Sequence, residues 1–165
     1  MILDKELVLS DAQTLIGSFS ATPVVSTNVI DTGLRLTSSD LVNGPHIWPN
    51  LNNGNVVTMA NDVGKSFMLE LLLSITSAVI SAGAATIQFQ LVHSDNSDLS
   101  APEILQMTDL IPKATLVVGY QPRLAVPVGV TRRYIGVQYI IGTASTSAGS
   151  FHASLVIDRS TRSVG

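Results

Sequence analysis

The chain contains no cysteine, so disulfides and thiolate metal sites are excluded and its stability must come from burial and assembly. Charge is scarce as well: 13% of the residues are charged, against about 25% in an ordinary globular protein. A surface with so little charge is expected to be covered in part by other protein. Aromatic residues make up 5% of the chain, with Trp48 the single tryptophan. Nine Lys and Arg against twelve Asp and Glu leave a formal net charge of -3. That offers no basic field for a phosphate backbone, and nucleic acid is not an expected partner.

Long hydrophobic runs are missing too. The stretch Leu71 to Ala85 falls short of the roughly 20 residues a membrane span needs. It is interrupted by Ser74, Thr76, Ser77 and Ser81 and has Glu70 at its edge, so it reads as a strand, a turn and the start of the next strand. No membrane partner is expected. The N-terminal MILDKELVLSDAQ carries Asp4 and Glu6 inside its apolar run. That differs from the basic start and apolar centre of a signal peptide, and Sec export is not expected.

What is present in quantity is short apolar alternation. A length of 165 residues fits one domain, and 45% hydrophobic residues with a mean hydropathy of +0.38 are ample for one core. The set Phe67, Leu69, Leu71, Leu73 and Ile75 is apolar at period two, with Glu70, Ser74 and Thr76 in its complement. Ile87, Phe89 and Leu91 oppose Gln88 and Gln90, and the polar run HSDNSDLS closes that strand. Ile135, Val137, Tyr139 and Ile141 form a third face. Phe151, Ala153, Leu155 and Ile157 form a fourth, opposed by His152, Ser154 and Asp158. Weaker strands are predicted over Glu6 to Leu9, Val24 to Ile30, Ile104 to Leu110 and Gly119 to Val126. With no long amphipathic helix, the pattern predicts an all-β antiparallel sandwich of about eight strands. Residues 1–10 read as an N-terminal arm, and 36–61, which holds Pro45, Trp48 and Pro49, as an inserted loop.

No catalytic pattern competes with a structural role. His46, His93 and His152 have no second ligand at metal spacing. Asp95, Asn96, Ser97 and Asp98 form the most acidic loop but lack the glycine and the twelfth-position glutamate of an EF-hand. The serines lack a Gly-x-Ser-x-Gly elbow, and Gly64-Lys65-Ser66 lacks the upstream glycine of a phosphate loop. Twelve acids scattered singly single out no glycosidase pair. Neither a cofactor nor a metal is expected, and the chain is not expected to be an enzyme.

The candidate interface residues are Trp48, Ile47 and Leu51 in the inserted loop, Leu3 and Leu7 in the arm, and Arg132 and Arg133 ahead of Tyr134. Trp48 reads either as an interface anchor or as a plug at the end of the core. The arginines read either as a solvated strand end or as an anchor for an acidic partner.

Seven segments in order carry a family resemblance. They are Ser10-Asp11-Ala12-Gln13, Ile30-Asp31-Thr32-Gly33, the apolar strand after Gly64, Leu91 to Asp98, Ala114 to Tyr120, Pro127 to Tyr134, and Ala153 to Asp158. Together they resemble the jelly-roll cement proteins of phage heads, similar to that of a Bordetella phage. The resemblance implies a jelly roll on the outer surface of the virion, made in the host cytoplasm. Its implied partners are the HK97-like major capsid protein and further copies of itself, as dimer or trimer, and it implies no catalysis. This chain departs from the family pattern by inserting the Trp48 loop between Arg35 and Phe67. The alternative is a carbohydrate- or receptor-binding jelly roll of a phage tail, with Trp48 stacking on sugar.

Overall fold

The computed structural model describes residues 7–19, 23–32, 69–128 and 130–157. Its strands are β1 (Val8–Thr14), β2 (Val24–Val25), β3 (Ile30–Asp31), β4 (Leu69–Ile80), β5 (Thr86–Ser94), β6 (Glu103–Met107), β7 (Ile111–Pro112), β8 (Arg123–Ala125), β9 (Tyr134–Gly142) and β10 (Ala148–Ile157). One sheet runs β1-β10-β4-β8. The other runs β2-β9-β5-β6, with β3 also on β9 and β7 also on β5. Taking β2/β3 and β6/β7 as two interrupted strands leaves eight, and the pairing of first with last and second with seventh is jelly-roll wrapping. The expected antiparallel sandwich of about eight strands is the observed fold.

The four strands with clear alternation occupy the centres of the two sheets, because only a strand flanked on both sides has a continuous inward face to bury. Leu71, Leu73 and Ile75 of β4, Ile87, Phe89 and Leu91 of β5, Ile135, Val137 and Tyr139 of β9, and Phe151 and Ala153 of β10 are all essentially inaccessible. At the middle, Phe151 meets Phe89 and Tyr139 edge to face, with ring centroids 5.3 and 5.5 Å apart. The Tyr139 hydroxyl donates to the Thr14 carbonyl at 2.6 Å, tying β9 to the end of β1 in the other sheet. Burial pushes that phenol up to about 12, so it stays a donor throughout the neutral range.

The edges depart from the sequence pattern. Val8–Ser10 already belong to β1, so of residues 1–10 only those up to Leu7 precede the sandwich, and Leu7 is partly buried against the core. The strand predicted over Ile104 to Leu110 lies at Glu103–Met107, with β7 as a separate piece. The Val24 to Ile30 candidate is split into β2 and β3. Of Gly119 to Val126 only Arg123–Ala125 is strand. The segment before it still follows β4, whose Leu73, Ile75 and Val79 N–H groups donate to Pro122, Tyr120 and Leu116 carbonyls. Gly119 at φ +86 and Pro122 without an N–H break the ladder there.

Outward faces are drier than alternation implies. Gln90, Ser94 and Gln138 are buried although they point away from the core. The 95–102 loop folds back over this side and seats Leu99, itself at φ +55, on Gly136, where a β-carbon would collide with the leucine. Both edge strands with enough length to recruit another strand are distorted. β1 shifts register twice against β10, and β6 shifts at Leu91/Val92, leaving Leu105 as the extra residue.

Candidate functional site

The two ends of the sandwich carry different chemistry. At one end the 95–102 loop, the turn into β9 and the exit of β3 come together. Arg133 clamps Asp31 with both arms of its guanidinium, Nε to Oδ1 at 2.8 Å and Nη2 to Oδ2 at 2.6 Å. Its guanidinium carbon also lies 5.0 Å from the centroid of the Tyr134 ring. The Asp31 carboxylate raises the Arg133 pKa above its already high ordinary value. Arg132 donates to Glu103 Oε1 and, at 3.1 Å, to the Ala101 carbonyl. Each arginine thus ties the β9 turn to a strand on one side of β9 and β5, Arg133 to β3 and Arg132 to β6.

His93 completes this cluster from inside. Its side chain is 4% exposed, and its Nε2 lies 3.2 Å from Glu103 Oε2. The Arg132 backbone N–H donates to its Nδ1 at 3.4 Å, so Nδ1 is the acceptor and the proton sits on Nε2, aimed at the glutamate. Hydrogen bonds from Arg132 and then His93 hold the Glu103 carboxyl below the usual carboxylate range. Beside them, Asp95, Asn96, Ser97, Asp98, Ser100 and Tyr134 line an open polar recess. The Ser100 hydroxyl and backbone N–H lower the Asp98 pKa. Among the described residues no three His, Cys, Asp or Glu side chains converge to hold a metal ion.

An Asp-His-Ser set does occur on the outer face of the first sheet. His152 Nδ1 lies 3.5 Å from Asp11 Oδ1, and Ser154 is two residues along the same strand. The Ser154 hydroxyl is fully buried, and among the described residues neither it nor His152 Nε2 has a hydrogen-bond partner. A nucleophile must be bonded to its base and open to substrate, and this hydroxyl is neither. Ser154 is also a departure from the alternation that set it on the exposed side.

The described residues of the opposite end fall in four connections, 15–19, 81–85, 113–122 and 143–147. They interlock through backbone and hydroxyl bonds. Gly17 pairs with Thr146, the Phe19 N–H donates to Ser145 Oγ at 3.1 Å, Ser81 Oγ donates to the Ser145 carbonyl at 2.6 Å, and the Ser147 N–H donates to the Ile80 carbonyl at 2.8 Å. Lys113 is the one charged residue in these connections, and its ammonium is turned onto the Ser81 carbonyl at 2.5 Å. Ile16, Phe19, Ile80, Val117 and Val118 are each at least half exposed here, up to 66% for Val118. Among the described residues these connections expose apolar groups and turn no charge outward.

Of the sequence candidates, Trp48, Ile47, Leu51 and Leu3 lie outside the described residues, as do His46 and the loop 36–61. Leu7 packs on the core, and Arg132 and Arg133 are both engaged with internal carboxylates. The pattern reading did not single out Ile16, Phe19, Ile80, Val117 or Val118. The available signal was the lack of charge in SAGAA, TASTS and ATLVVGYQP, which only topology brings together.

No curated protein matches the chain. The Bbp16 family model matches it over residues 9–155, from the first strand through to the last. A match of that extent, on an antiparallel sandwich, makes the chain a member of the Bbp16 family of Bordetella phage structural proteins.

Proposed function

We propose that this chain is a capsid cement protein. It binds the outer surface of a shell built from an HK97-like major capsid protein and staples neighbouring capsomers against internal DNA pressure, without catalysis. The observation that carries the reading is the family match, which runs from the first strand of the sandwich to the last. The scarcity of charge and the number of large apolar side chains left exposed at the uncharged end support it, since protein contacts are where such side chains are ordinarily covered.

The mechanism is linkage. A protein that binds the assembled shell and not its separated subunits stabilises the shell by mass action. Many copies, each bound weakly, sum to a large effect. The chain needs no moving part for this, only a rigid body with two or more surfaces. Its clamped loops and aromatic centre provide that body.

The test is quantitative mass spectrometry of purified virions with heads separated from tails. Abundance approaching that of the major capsid protein, confined to heads, is the expected result. A few copies confined to tails would replace the cement reading with the receptor-binding one, and absence from virions would overturn both. Heads assembled without the chain are expected to release DNA at lower temperature than heads to which purified chain has been added back.

A further inference from the structure

We infer that the outer face of the second sheet, centred on the buried amides of Gln90 and Gln138, is a binding site for an uncharged glycan. This is a function beyond the cement reading and does not rest on it: the site is tested on the free protein, and either reading can fail alone.

The face is continuous by strand register. Gln138 of β9 stands opposite Val25 of β2 on one side and Gln90 of β5 on the other, and Gln90 stands opposite Met107 of β6. That makes one row across four strands, about 14 Å wide at three strand spacings of about 4.8 Å. Directly paired residues share a face with their β-carbons about 4.5–5.5 Å apart, so the two amides are neighbours. In the flanking rows Gln88 pairs with Ile140, and Val92 pairs with Gly136 and Ile104. Every outward position of β5 and β9, the even-numbered residues of 86–94 and 134–142, is uncharged. The 95–102 loop bounds the face where Leu99 sits on Gly136.

Two polar groups in the central row lack partners. Gln138 is 5% exposed, and among the described residues its side-chain amide has no hydrogen-bond partner. Gln90 is 6% exposed and donates to Gln88 Oε1 at 3.0 Å, while among the described residues its own Oε1 accepts no hydrogen bond. Gln88 is held in turn by donating to the Thr108 carbonyl at 3.0 Å. Both unsatisfied amides point away from the core, because Phe89, Leu91, Val137 and Tyr139 take the inward positions on either side of them. A buried amide without a partner costs stability, and here packing holds two of them side by side.

The ligand follows from what these groups lack. Nothing on the face selects an ionic partner, so an acidic or basic polymer gains nothing from it. An apolar protein surface laid over the row would seal both amides without partners. The backbone groups of a folded protein are mostly committed to its own ladders and helices. Sugar hydroxyls are uncharged and dense, and each is both donor and acceptor, which matches the paired donor and acceptor of an amide. The C–H faces of the rings need apolar contact, and Val25 and Met107 supply it at the two ends of the row.

The test is binding of the purified full chain to an array of neutral and acidic glycans, followed by titration of the strongest ligand. Binding to neutral glycans in preference to acidic ones is the expected result. Gln138→Leu and Gln90→Leu are each expected to weaken it at least about tenfold, the factor that loss of one or two buried hydrogen bonds carries. Ile80→Ser, on the other sheet, is expected to leave it unchanged. Gln138→Leu is of similar size and removes an unsatisfied amide, so it is expected to melt no lower than wild type. In nuclear magnetic resonance the Gln138 side-chain amide signals are expected to shift when the glycan is added. No binding to any neutral glycan overturns the inference, as does binding that Gln138→Leu leaves intact. A Gln138→Leu chain that melts well below wild type also overturns it, because the amide would then be structural. So does loss of head binding by Gln138→Leu where the wild type binds no glycan, which would assign the face to the capsid protein.

Discussion

The two ends of the sandwich are made by one chain on one core, yet one holds Asp31, Asp95, Asp98, Glu103, Arg132 and Arg133, and the other holds Lys113 alone among its described residues. At the charged end, long-range ion pairs fix the loops. At the uncharged end, short hydroxyl and backbone bonds do so and apolar side chains remain outside. Among the described residues, Asp31, Glu103, Arg132 and Arg133 cross-link the loops of one end, while the other end is fastened without an ion pair.

The largest effect that tests this contrast lies between the ends. Phe151→Ala removes the ring that joins Phe89 of one sheet to Tyr139 on the next strand, and a cavity of that kind costs about 3–5 kcal/mol. Denaturant unfolding is expected to show the loss as a lower midpoint in a single transition. Hydrogen exchange is expected to accelerate at both ends together. Acceleration at one end alone would make the ends independent folding units and break the comparison.

How much of this was legible follows from where each residue sits. Central strands such as Ile87-Phe89-Leu91 and Ile135-Val137-Tyr139 announce themselves because two flanking strands force strict alternation. The edges do not. β6 is exposed on both faces and carries an extra residue at Leu105, so Ile104 and Met107 both point outward although they are three apart. The outward faces misled because Leu99 covers Gly136 from a loop that reads as purely polar. Arg132 and Arg133 stood out in the sequence, but their partners Asp31 and Glu103 lie 102 and 29 residues away, at separations no local pattern encodes. The exposed apolar residues of the uncharged end, 16, 19, 80, 117 and 118, are each ordinary in their own segments.

A smaller effect isolates the uncharged end. Gly149 of β10, opposite the bulged stretch of β4, adopts φ +136, its carbonyl accepts the Leu15 N–H at 2.8 Å, and a β-carbon there would press on Val79 at 3.0 Å. Gly149→Ala is expected to cost about 1–3 kcal/mol through backbone strain. Because Leu15 leads directly into Ile16, the loss is expected as faster exchange around residues 15–17. The charged end is expected to keep its protection.

The smallest effect belongs to the charged end and appears only in acid. Glu103 has a folded pKa below its ordinary value of 4.5 because Arg132 and His93 donate to its ionised form. A depressed carboxylate contributes stability that is fully present above the unfolded pKa and is lost as pH falls through the folded one. Asp98 behaves in the same sense through Ser100. From pH 7 down to about 5 this cluster is therefore expected to contribute steadily. Below that, thermal stability is expected to decline, with exchange rising first in the 95–103 loop and the turn into β9. Glu103→Gln, which keeps the shape and removes the titrating group, is expected to lower stability at neutral pH and flatten the acid decline. The decisive quantity is the difference between the two pH profiles. If wild type and Glu103→Gln fall in parallel below pH 5, the ion cluster does not fasten this end, and the division of labour between the ends loses its electrostatic half.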